Sequence, residues 1–430
     1  MYKFKNKTFL VYGAGLSGSS AVSFIKNNGG IAYLYDDNKS LSQIQNFEDV
    51  KNLNIQTAIL SPGVAVLGNK NIELLKKLNI PYESEFSFGI KNAKGKKICV
   101  TGTNGKTTTV NILYNLFKSQ QKQVFLCGNT DTPITSVCDK TTDDCVLICE
   151  VSSFALETAN NIEIDACAIL NIEKDHISRH QTFENYSNEK YKLASFLKKD
   201  NLFVCEENFD TKNINSIIKK YSTKIYSNAC AIEDWIYYED KKILNKKSIN
   251  LIGEKNLENI LCAIIFAKYF GIKNKNIKKT IKNFKPLANR LQFVKKINNV
   301  TYINDSKATN PHSTLCALEC FKDVVLLLGG SDKGYDFDDI FLSENLPKKI
   351  IAFGEVKEKI IACAKRFNFQ NIYQQDSMKN ATQLARKMAT SGEVVLLSPA
   401  CASFDEFKSY KHRGECFCEI VNSFNAKEEM

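Results

Sequence analysis

The stretch KKICVTGTNGKTT, residues 96–108, decides how this chain is expected to fold. Its apolar first half is typical of a buried strand, and the segment TTVNILYNLFKS that follows the glycines has the periodicity of a helix. In such a strand–loop–helix unit, backbone N–H groups and the helix N-terminus surround phosphate oxygens. The predicted phosphate loop consists of Gly102, Thr103, Asn104, Gly105, Lys106, Thr107 and Thr108.

Two side chains of the phosphate loop indicate a nucleoside triphosphate with a divalent ion. Lys106 would neutralise charge on the β- and γ-phosphates, and the Thr107 hydroxyl would bind Mg²⁺. The loop has two residues between its glycines, where the usual pattern has about four. A glycine-rich turn without a ligand is the alternative, and the lysine–threonine pair before a helix argues against it. The loop therefore predicts a bound nucleoside triphosphate with Mg²⁺.

Strand-like runs alternate with helical segments along the whole chain. The runs are TFLVYG, IAYLYD, TAILSPG, KKICVTG, DCVLICE, ACAILNI, LFVCEE, VTYIND, DVVLLLGG, IIAFG and VVLLSP. Many are continuously apolar, as strands covered on both faces of a parallel sheet are. The pattern predicts an α/β protein with mainly parallel sheets. The polar stretches GIKNAKGKK and KNFKPLANR divide it into three expected domains: 1–91, 92–286 and 287–430.

The composition excludes several classes of protein. The 430 residues carry a net charge of +11, with 43% hydrophobic and 24% charged residues. These values are ordinary for a globular protein and argue against a disordered chain or a coiled-coil rod. No apolar run reaches the roughly 18 residues of a membrane span, so no membrane association is expected. The N-terminus lacks the cleavage site of a signal peptide, which predicts a cytoplasmic location.

The fifteen cysteines and the excess of lysine indicate neither a metal site nor a nucleic-acid site. Most cysteines, for example Cys99, Cys127, Cys145, Cys149 and Cys167, lie in apolar strand-like runs, where a thiol behaves as a small buried side chain. The chain has no CxxC pair, so neither a disulfide framework nor a zinc site is predicted. The lysines are spread over predicted helices without a nucleic-acid motif, which fits either a solvated lysine-rich surface or an anionic small-molecule ligand such as a phosphate compound.

Acidic and histidine residues follow two of the predicted strands near the phosphate loop. Glu150 ends the strand DDCVLICE, and His176 and His180 follow the strand ACAILN. The carboxyl ends of strands form the ligand-binding edge of an α/β sheet. Carboxylate oxygen suits Mg²⁺, and a neutral imidazole can bind a metal ion. Glu150 and His176 are therefore predicted to support the metal site, and the alternatives are a solvated carboxylate and a surface histidine.

A second glycine turn, VYGAGLSG at residues 11–18, follows the first predicted strand. It matches G-x-G-x-x-G, and the next strand ends in Asp36, 18 residues beyond Gly18. The pattern is that of a dinucleotide site. Because the chain has a separate triphosphate site, the turn is also consistent with the diphosphate of a UDP-linked substrate, or with backbone packing alone. Ser61-Pro62-Gly63 is a further tight turn expected at the same edge.

Three polar loops follow strands in the last third of the chain: INDSKATNP, GGSDKG and SPACASFDEF. Polar loops at the ends of neighbouring strands can build one binding site. Lys333, with the hydroxyls of Thr309 and Ser403, would suit a small carboxylate. The alternative is that their Ser, Thr, Asn and Asp residues cap helices.

Six segments of the chain together resemble the Mur ligase family, which shares its central domain with folylpolyglutamate synthases. The segments are TGTNGKTT, EVSSFAL, NIEKDHISRH, NDSKATNP, LLGGSDKG and SPACASFDEFKSY. The resemblance covers essentially the whole chain and is strongest to the members that add D-glutamate. It implies an ATP-dependent acid–amino-acid ligase that joins D-glutamate to UDP-N-acetylmuramoyl-L-alanine through an acyl phosphate, in peptidoglycan precursor synthesis. It also implies Rossmann-like N-terminal and C-terminal domains around a central P-loop domain, in a monomer.

The resemblance further implies a role for individual residues. The UDP-linked substrate would contact Leu16, Ser17, Asp36, Asp37, Gly63 and Asn129. ATP contacts would include the phosphate loop together with Asn256, Asn259, Arg290 and Asp305. D-glutamate would contact Lys307, Thr309, Lys333, Ser403, Phe404 and Tyr410. The implied catalytic set is Lys106, Glu150, His176 and Lys190, and the implied metal ligands are Thr107, Glu150, His176 and Lys190.

Lys190 enters these sets because the family uses a carbamylated lysine as a metal ligand, 14 residues beyond the position of His176. Carbamylation would turn the cation into an anion that can bind Mg²⁺. The neighbouring Lys192 is a second candidate, and an ordinary lysine on a helix surface is the alternative. The chain departs from the family at Asp131, in place of a turn glycine, and at Asp37, where a hydroxyl residue is common.

Other functions fit parts of the sequence. A sister Mur ligase or a folylpolyglutamate-type ligase would share the phosphate loop, although a nucleotide-sugar domain before that loop argues against the folate enzyme. A dinucleotide-dependent oxidoreductase would require NAD(P)H binding at Gly13–Gly18. A nucleotide-regulated binding protein without turnover is the third possibility, and the clustering of Lys106, Glu150 and His176 argues against it.

Overall fold

The computed structural model describes residues 3–120 and 122–425. The strands are β1 (Thr8–Tyr12), β2 (Ile31–Tyr35), β3 (Thr57–Leu60), β4 (Tyr82–Ser84), β5 (Lys96–Thr101), β6 (Val124–Gly128), β7 (Val146–Glu150), β8 (Ile164–Ile169), β9 (Leu197–Glu206), β10 (Ile217–Ser222), β11 (Ala229–Ile232), β12 (Trp235–Tyr238), β13 (Lys241–Asn245), β14 (Gln292–Ile297), β15 (Val300–Asn304), β16 (Val324–Gly329), β17 (Lys349–Phe353), β18 (Ile372–Gln374) and β19 (Val394–Ala400). The helices are α1 (Leu16–Asn27), α2 (Lys70–Lys77), α3 (Glu85–Asn92), α4 (Lys106–Lys118), α5 (Ser153–Glu157), α6 (Ile177–His180), α7 (Phe183–Ser195), α8 (Glu254–Tyr269), α9 (Asn274–Asn283), α10 (Pro311–Leu318), α11 (Asp338–Phe341), α12 (Lys357–Arg366), α13 (Met378–Met388) and α14 (Tyr410–Asn422).

The first sheet is parallel and has the strand order β2-β1-β3-β4. Its central strand β1 is buried along most of its length. Helix α1 begins at Leu16, within the glycine turn, and buries Ala21, Phe24 and Ile25. The chain therefore passes from strand to helix through the residues 13–15, at the carboxyl edge of this sheet.

The second sheet contains nine strands in the order β13-β12-β11-β10-β9-β8-β5-β7-β6. Strands β5 to β11 are parallel, and β12 and β13 add an antiparallel hairpin at one edge. Strand β5, which leads into the phosphate loop, lies between β7 and β8. The carboxyl ends of these three strands are therefore neighbours, and they carry Gly102, Glu150 and Asn171.

The third sheet contains six strands in the order β14-β15-β19-β16-β17-β18. All its strands are parallel except β14, which pairs antiparallel to β15. Strands β16 and β19 are buried almost completely, because helices cover both faces of this sheet. Strands β15, β16 and β19 each end in one of the three polar loops described above.

The chain forms two compact units. The first unit runs up to Ser248 and includes Glu258–Asn283, so it contains the first two sheets. The second unit combines Ile249–Leu257 with the residues from Phe284 onward and contains the third sheet. None of the described helices is long and apolar enough to cross a membrane.

The α/β class with mainly parallel sheets is confirmed, and each of the eleven predicted runs contains a strand. The strands that had no sequence prediction are β4, β6, β10, β11, β12, β13, β14 and β18. The fifteen cysteines are free thiols, and the five named above are buried, as expected for small apolar side chains.

Candidate active site

The phosphate loop lies between β5 and α4 in the first unit. Gly102 and Gly105 have φ values of 148° and 85°, a region that side-chain-bearing residues rarely occupy. A Cβ atom on Gly105 would lie 2.3 Å from the Oδ1 atom of Asn259. That oxygen also accepts a hydrogen bond of 3.1 Å from the Thr109 hydroxyl on α4. The structure thus places Asn259, a predicted ATP contact, directly against the loop.

Two lysines reach the same part of the phosphate loop. The Nζ atom of Lys106 donates to the carbonyl oxygens of Gly102 (2.7 Å) and Thr103 (2.8 Å). Lys190 donates to Gly102 O at 2.8 Å, and its side chain is 1% exposed. Burial, reinforced by the positive charge of Lys106, holds the pKa of Lys190 well below its usual value. Lys190 is therefore not a surface lysine, and that alternative is wrong.

Lys192, the second candidate for the modified lysine, has other partners. Its Nζ atom donates to Leu156 O at 2.8 Å and to Glu157 O at 3.3 Å. These two carbonyls belong to helix α5. Of the two lysines, Lys190 is the one that contacts the phosphate loop.

Two residues that the sequence analysis did not assign hold the phosphate loop in place. Asn171, just after β8, accepts from the backbone N–H of Asn104 at 2.8 Å and donates to its carbonyl at 3.2 Å. The hydroxyl of Tyr186, on α7, lies 2.8 Å from the Thr103 hydroxyl. Asn171 follows a strand, so its position could have been noticed. Nothing local in the sequence marks Tyr186.

Glu150 ends β7 at the same sheet edge and is 3% exposed. Its Oε1 atom accepts from the side-chain amide of Asn129 at 3.0 Å. Its Oε2 atom is buried and has no hydrogen-bond partner among the residues that the structure describes. A buried carboxylate oxygen without a partner is costly unless a cation or donor binds it. The solvated-carboxylate alternative is therefore wrong, and the oxygen fits a divalent cation, which prefers such hard ligands.

The two histidines of the motif differ in exposure and in their contacts. The side chain of His176 is 37% exposed, and its ring packs on Phe154 with 4.7 Å between ring centroids. His180 is 5% exposed, and its Nε2 atom lies 3.0 Å from the Ser153 hydroxyl. Burial lowers the pKa of His180. His176 is thus the more accessible of the two to a ligand.

A cleft of about 680 Å³ lies at the glycine turn of the first sheet. It is bounded by the glycine turn, by a turn at 61–64 that we call the substrate turn, and by the segment 128–130. All six residues predicted to contact the UDP-linked substrate line it: Leu16, Ser17, Asp36, Asp37, Gly63 and Asn129. Because Asn129 also binds Glu150, the cleft adjoins the candidate metal ligand.

The two aspartates of the cleft are held by the protein itself. Asp36 Oδ2 accepts from the backbone N–H of Ala14, inside the glycine turn, at 2.6 Å. The carboxylate of Asp37 accepts from the Tyr12 hydroxyl at 3.0 and 3.1 Å. The substitution at Asp37 is thus accommodated by a tyrosine. Asp131 does not belong to the described non-glycine residues with positive φ, so it avoids the backbone strain that replacing a turn glycine would bring.

Glu85 lines the same cleft and was not predicted. It is 3% exposed, and its Oε1 atom accepts from the backbone N–H of Thr135 at 2.8 Å and from the Thr135 hydroxyl at 2.7 Å. Burial raises the pKa of Glu85 to about 7. No local pattern marks this glutamate, because its partner is 50 residues away in sequence.

The second unit carries the remaining predicted ATP contacts. Asp305 is 8% exposed, and it accepts from the Ser398 hydroxyl at 2.9 Å and from the backbone N–H of Leu291 at 3.2 Å. Burial raises its pKa to about 7, and the charge of Arg290 opposes the shift. Asn256 lies on α8, and its amide donates to Ile252 O at 2.7 Å.

Two of the three polar loops of the second unit are joined by Arg413, a residue that the sequence analysis missed. Its guanidinium is fully buried and donates to the backbone carbonyls of Ser306, Cys401 and Ala402 at 2.9–3.0 Å. The third loop joins through the backbone N–H of Ser331, which donates to Ala402 O at 3.0 Å. One arginine thus connects the loops after β15 and β19.

The predicted amino-acid contacts lie on these connected loops, except Tyr410, which is the first residue of α14. The ammonium of Lys307 stands 3.8 Å from the centre of the Tyr410 ring, and Phe404 is 75% exposed. Ser403 is buried beside Ala402, and Lys333 lies 5.6 Å from the Tyr335 ring. The helix-cap alternative holds in part, since Asn310 caps α10 by accepting from Ser313 N. Thr309, half-buried, directly precedes this cap.

Two family models and a set of curated relatives match this chain. Residues 100–267 match the Mur ligase middle domain, and residues 289–401 match the Mur ligase glutamate ligase domain. A UDP-N-acetylmuramoylalanine–D-glutamate ligase of Lachnospira eligens is 33% identical, over 97% of this chain and 99% of the relative. The enzyme of the same name from Caldicellulosiruptor bescii is 32% identical, over 97% of this chain and 98% of the relative.

Solved structures show the same fold at low sequence identity. The UDP-N-acetylmuramate–alanine ligase MurC of Thermotoga maritima is 15% identical, covers 97% of this chain and 99% of its own, and has a TM-score of 0.64. The MurF ligase of Thermotoga maritima in complex with ADP is 17% identical, covers 97% and 95%, and has a TM-score of 0.59. From the identity and coverage of its relatives, the chain belongs to the Mur ligase family.

Proposed function

We propose that this chain is the ATP-dependent ligase that adds D-glutamate to UDP-N-acetylmuramoyl-L-alanine in peptidoglycan precursor synthesis. The full-length relatives that carry this name support the substrates. The observation that carries the chemistry is the buried, unpartnered Oε2 atom of Glu150, at the same sheet edge as the phosphate loop and its two lysines.

In this proposal ATP binds with its phosphates in the phosphate loop, where backbone N–H groups at the start of α4 face the phosphate oxygens. Lys106, at the first position of α4, exchanges its bonds with the loop carbonyls for bonds to the β- and γ-phosphates. Its charge offsets the repulsion between the γ-phosphate and the incoming carboxylate, which is the main barrier of the step. Asn256, Asn259, Arg290 and Asp305 are assigned to the rest of the nucleotide.

Mg²⁺ is assigned to Thr107, Glu150, His176 and a carbamylated Lys190. When bound, the ion supplies positive charge at the transferring phosphoryl group. The buried position of Lys190 against Gly102 O supports the modification, since a carbamate would replace a buried cation by a metal-binding anion.

The reaction itself has two chemical steps. The terminal carboxylate of the UDP-linked substrate, held in the cleft at the glycine turn, attacks the γ-phosphorus of ATP, and ADP leaves. The amine of D-glutamate then attacks the acyl carbon, and the tetrahedral intermediate collapses to an amide and inorganic phosphate. The chain contributes placement and charge stabilisation, while Asn129 links the cleft to Glu150.

The loops of the second unit are assigned to D-glutamate. Lys307 and Lys333 would pair with its carboxylates, and the hydroxyls of Thr309 and Ser403 would complete the hydrogen bonds. Phe404 and Tyr410 would bound the side chain of the amino acid. The division at 91 and 286, the monomeric state and the cytoplasmic location stay predictions.

An assay of phosphate release tests the proposed function. The chain is incubated with ATP and Mg²⁺ and with each of a panel of amino acids, including both enantiomers of glutamate, with and without UDP-N-acetylmuramoyl-L-alanine. Release is expected only with D-glutamate and the UDP-linked substrate together. Equal release with another amino acid, or without the UDP-linked substrate, would refute the assignment.

A parallel fluorescence titration with NADH is expected to show no binding, and saturable binding would favour the oxidoreductase alternative.

A further inference from the structure

Arg179, on the short helix α6, makes contacts that none of the roles above uses. Its Nε and Nη2 atoms donate to the two carboxylate oxygens of Glu157 at 2.9 and 2.7 Å. Nη1 donates to Gly63 O at 3.2 Å, and Nη2 donates to Val64 O at 2.7 Å. The side chains of Arg179 and Glu157 are only 15% and 13% exposed, so solvent screens this pair weakly.

One side of this network leads to the candidate metal ligands. Glu157 is the last residue of α5, the helix that begins three residues after Glu150. Phe154, on the same helix, stacks against the Arg179 guanidinium at 4.3 Å and packs against the ring of His176 at 4.7 Å. Arg179 therefore contacts the helix that follows Glu150 and, through Phe154, the ring of His176, a second candidate metal ligand.

The other side of the network leads to the cleft. Gly63 and Val64 belong to the substrate turn, and both line the cleft. The hydroxyl of Ser61, in the same turn, donates to Gly13 O at 2.9 Å. The Ser61 hydrogen bond thus links the substrate turn to the glycine turn. Arg179 itself does not line the cleft.

We propose that Arg179 is a positioning residue that holds the substrate turn at a fixed distance from the candidate metal ligands, so that the carboxylate of the UDP-linked substrate meets the γ-phosphate of ATP. This inference rests on the proposed function and adds a residue to it. Arg179 binds no substrate; it acts through the carbonyls of Gly63 and Val64. Because productive geometry tolerates little displacement, loosening this link costs rate as well as affinity.

Only an arginine can make this connection. A planar guanidinium can bind a carboxylate through two parallel N–H groups and still offer further donors in the same plane. A lysine at the same place keeps the charge, but the three N–H groups on its one nitrogen cannot replace the four hydrogen bonds that Nε, Nη1 and Nη2 of Arg179 make. Arg179→Lys removes the planar set of N–H donors and keeps the charge, whereas Arg179→Met removes both. Comparing the two variants therefore separates these two contributions.

The test measures binding and turnover separately in the full chain. Arg179→Lys and Arg179→Met are titrated with UDP and with Mg²⁺-ADP by calorimetry, and kcat and KM are measured for each of the three substrates. Arg386→Met is the matched control, because Arg386 also stacks on a ring, at 4.4 Å, and donates to a backbone carbonyl, at 2.7 Å, and both of these contacts lie within the second unit.

Arg179→Met is expected to lower kcat/KM for the UDP-linked substrate about 100-fold and to weaken UDP binding about tenfold, roughly the value of one hydrogen bond to a charged group. Mg²⁺-ADP binding and the KM for D-glutamate should stay within about twofold of wild type, as should every constant of Arg386→Met. Arg179→Lys should lie closer to Arg179→Met than to wild type.

Two results would overturn the proposal: unchanged UDP binding and kcat in both folded Arg179 variants, or an equal loss of Mg²⁺-ADP binding, which would mean general damage. If Arg179→Met does not fold, Arg179→Lys decides. If the wild type releases no phosphate with the three substrates, the proposed function fails, whereas the UDP and ADP titrations still decide whether Arg179 supports the cleft selectively.

Discussion

The two glycine turns of the first unit have the same backbone plan and opposite charge. Both the phosphate loop and the glycine turn at 13–18 connect a buried parallel strand to a helix. At the phosphate loop, Lys106 and Lys190 both bind Gly102 O. At the glycine turn, the carboxylate of Asp36 already accepts a hydrogen bond from the backbone N–H of Ala14, inside the turn. The glycines therefore set the path of the chain, whereas the charged neighbours decide which ligand it can take.

The close contacts of the two turns also differ. Gly105 approaches a side chain, since its Cβ would meet Asn259 Oδ1 at 2.3 Å. Gly18 approaches the backbone of its own turn, since its Cβ would meet Gly13 O at 1.7 Å. Gly105 thus leaves room for Asn259, a predicted ATP contact, whereas Gly18 allows the backbone at Gly13 to pack against the start of α1.

The largest effect is expected from removing the cation of the phosphate loop. Lys106→Ala should lower kcat about 10³-fold, because the charge that offsets the repulsion between carboxylate and phosphate is lost. Phosphate release with all three substrates measures this. Lys118→Ala, at the exposed end of the same helix, is the control and should keep its activity. Near-wild-type turnover of Lys106→Ala would remove the role given to this lysine.

Replacing Gly105 or Gly18 by alanine should weaken the binding of different nucleotides. Gly105→Ala places a side chain at φ 85° against Asn259 and should weaken Mg²⁺-ADP binding about tenfold, while UDP binding is kept. Gly18→Ala should show the reverse pattern, since it opens the turn at the cleft. Calorimetry with the two nucleotides measures both. An equal loss of affinity for UDP and for Mg²⁺-ADP in either variant would contradict the assignment of one nucleotide to each turn.

A smaller effect is expected at the carboxylate of the glycine turn. Asp36→Asn keeps one acceptor but turns an N–H group toward a backbone donor, either that of Ala14 or that of Asn38. We expect a three- to tenfold higher KM for the UDP-linked substrate, about the value of one hydrogen bond. Steady-state kinetics measure it, and the KM for ATP serves as the internal control. An unchanged KM would mean that Asp36 does not shape the turn.

The smallest effect concerns stability and pH at Glu85. Because burial raises its pKa from 4.5 to about 7, the folded chain binds more protons than the unfolded chain between these values. Stability therefore falls as the pH rises from about 5 to 7. Glu85→Gln keeps the acceptor for Thr135 and removes the titration, so at pH 8 it should be more stable than wild type, by at most ~3 kcal/mol. Urea unfolding at pH 5 and pH 8 measures this, and an identical pH dependence in both proteins would refute it.

Local patterns in the sequence were sufficient for much of the fold. The eleven predicted strands were found because continuous apolar runs such as ACAILNI are buried on both faces of the sheets. Strands β10 to β13 were missed because segments such as IIKKYS and KKILN mix lysine with apolar residues at an exposed part of the sheet. Those residues gain strand structure from their neighbours in the sheet rather than from a pattern of their own.

The candidate site divides in the same way. The phosphate loop, Glu150 and His176 were predictable because each lies next to a strand end. Tyr186, Glu85, Arg179 and Arg413 were not, because each acts on a partner 50 to 115 residues away, or on several loops at once. The burial that distinguishes Lys190 from Lys192 is also a property of the folded chain, since both stand on one helix.

The transfer of oxygen tests the central claim most directly. The UDP-linked substrate is prepared with ¹⁸O in the carboxylate of its L-alanine, and the phosphate released with ATP and D-glutamate is analysed by mass spectrometry. Attack of that carboxylate on the γ-phosphorus predicts one ¹⁸O atom in each phosphate and one in the amide product. Unlabelled phosphate formed together with the amide would show that the carboxylate is never phosphorylated, and would contradict the account.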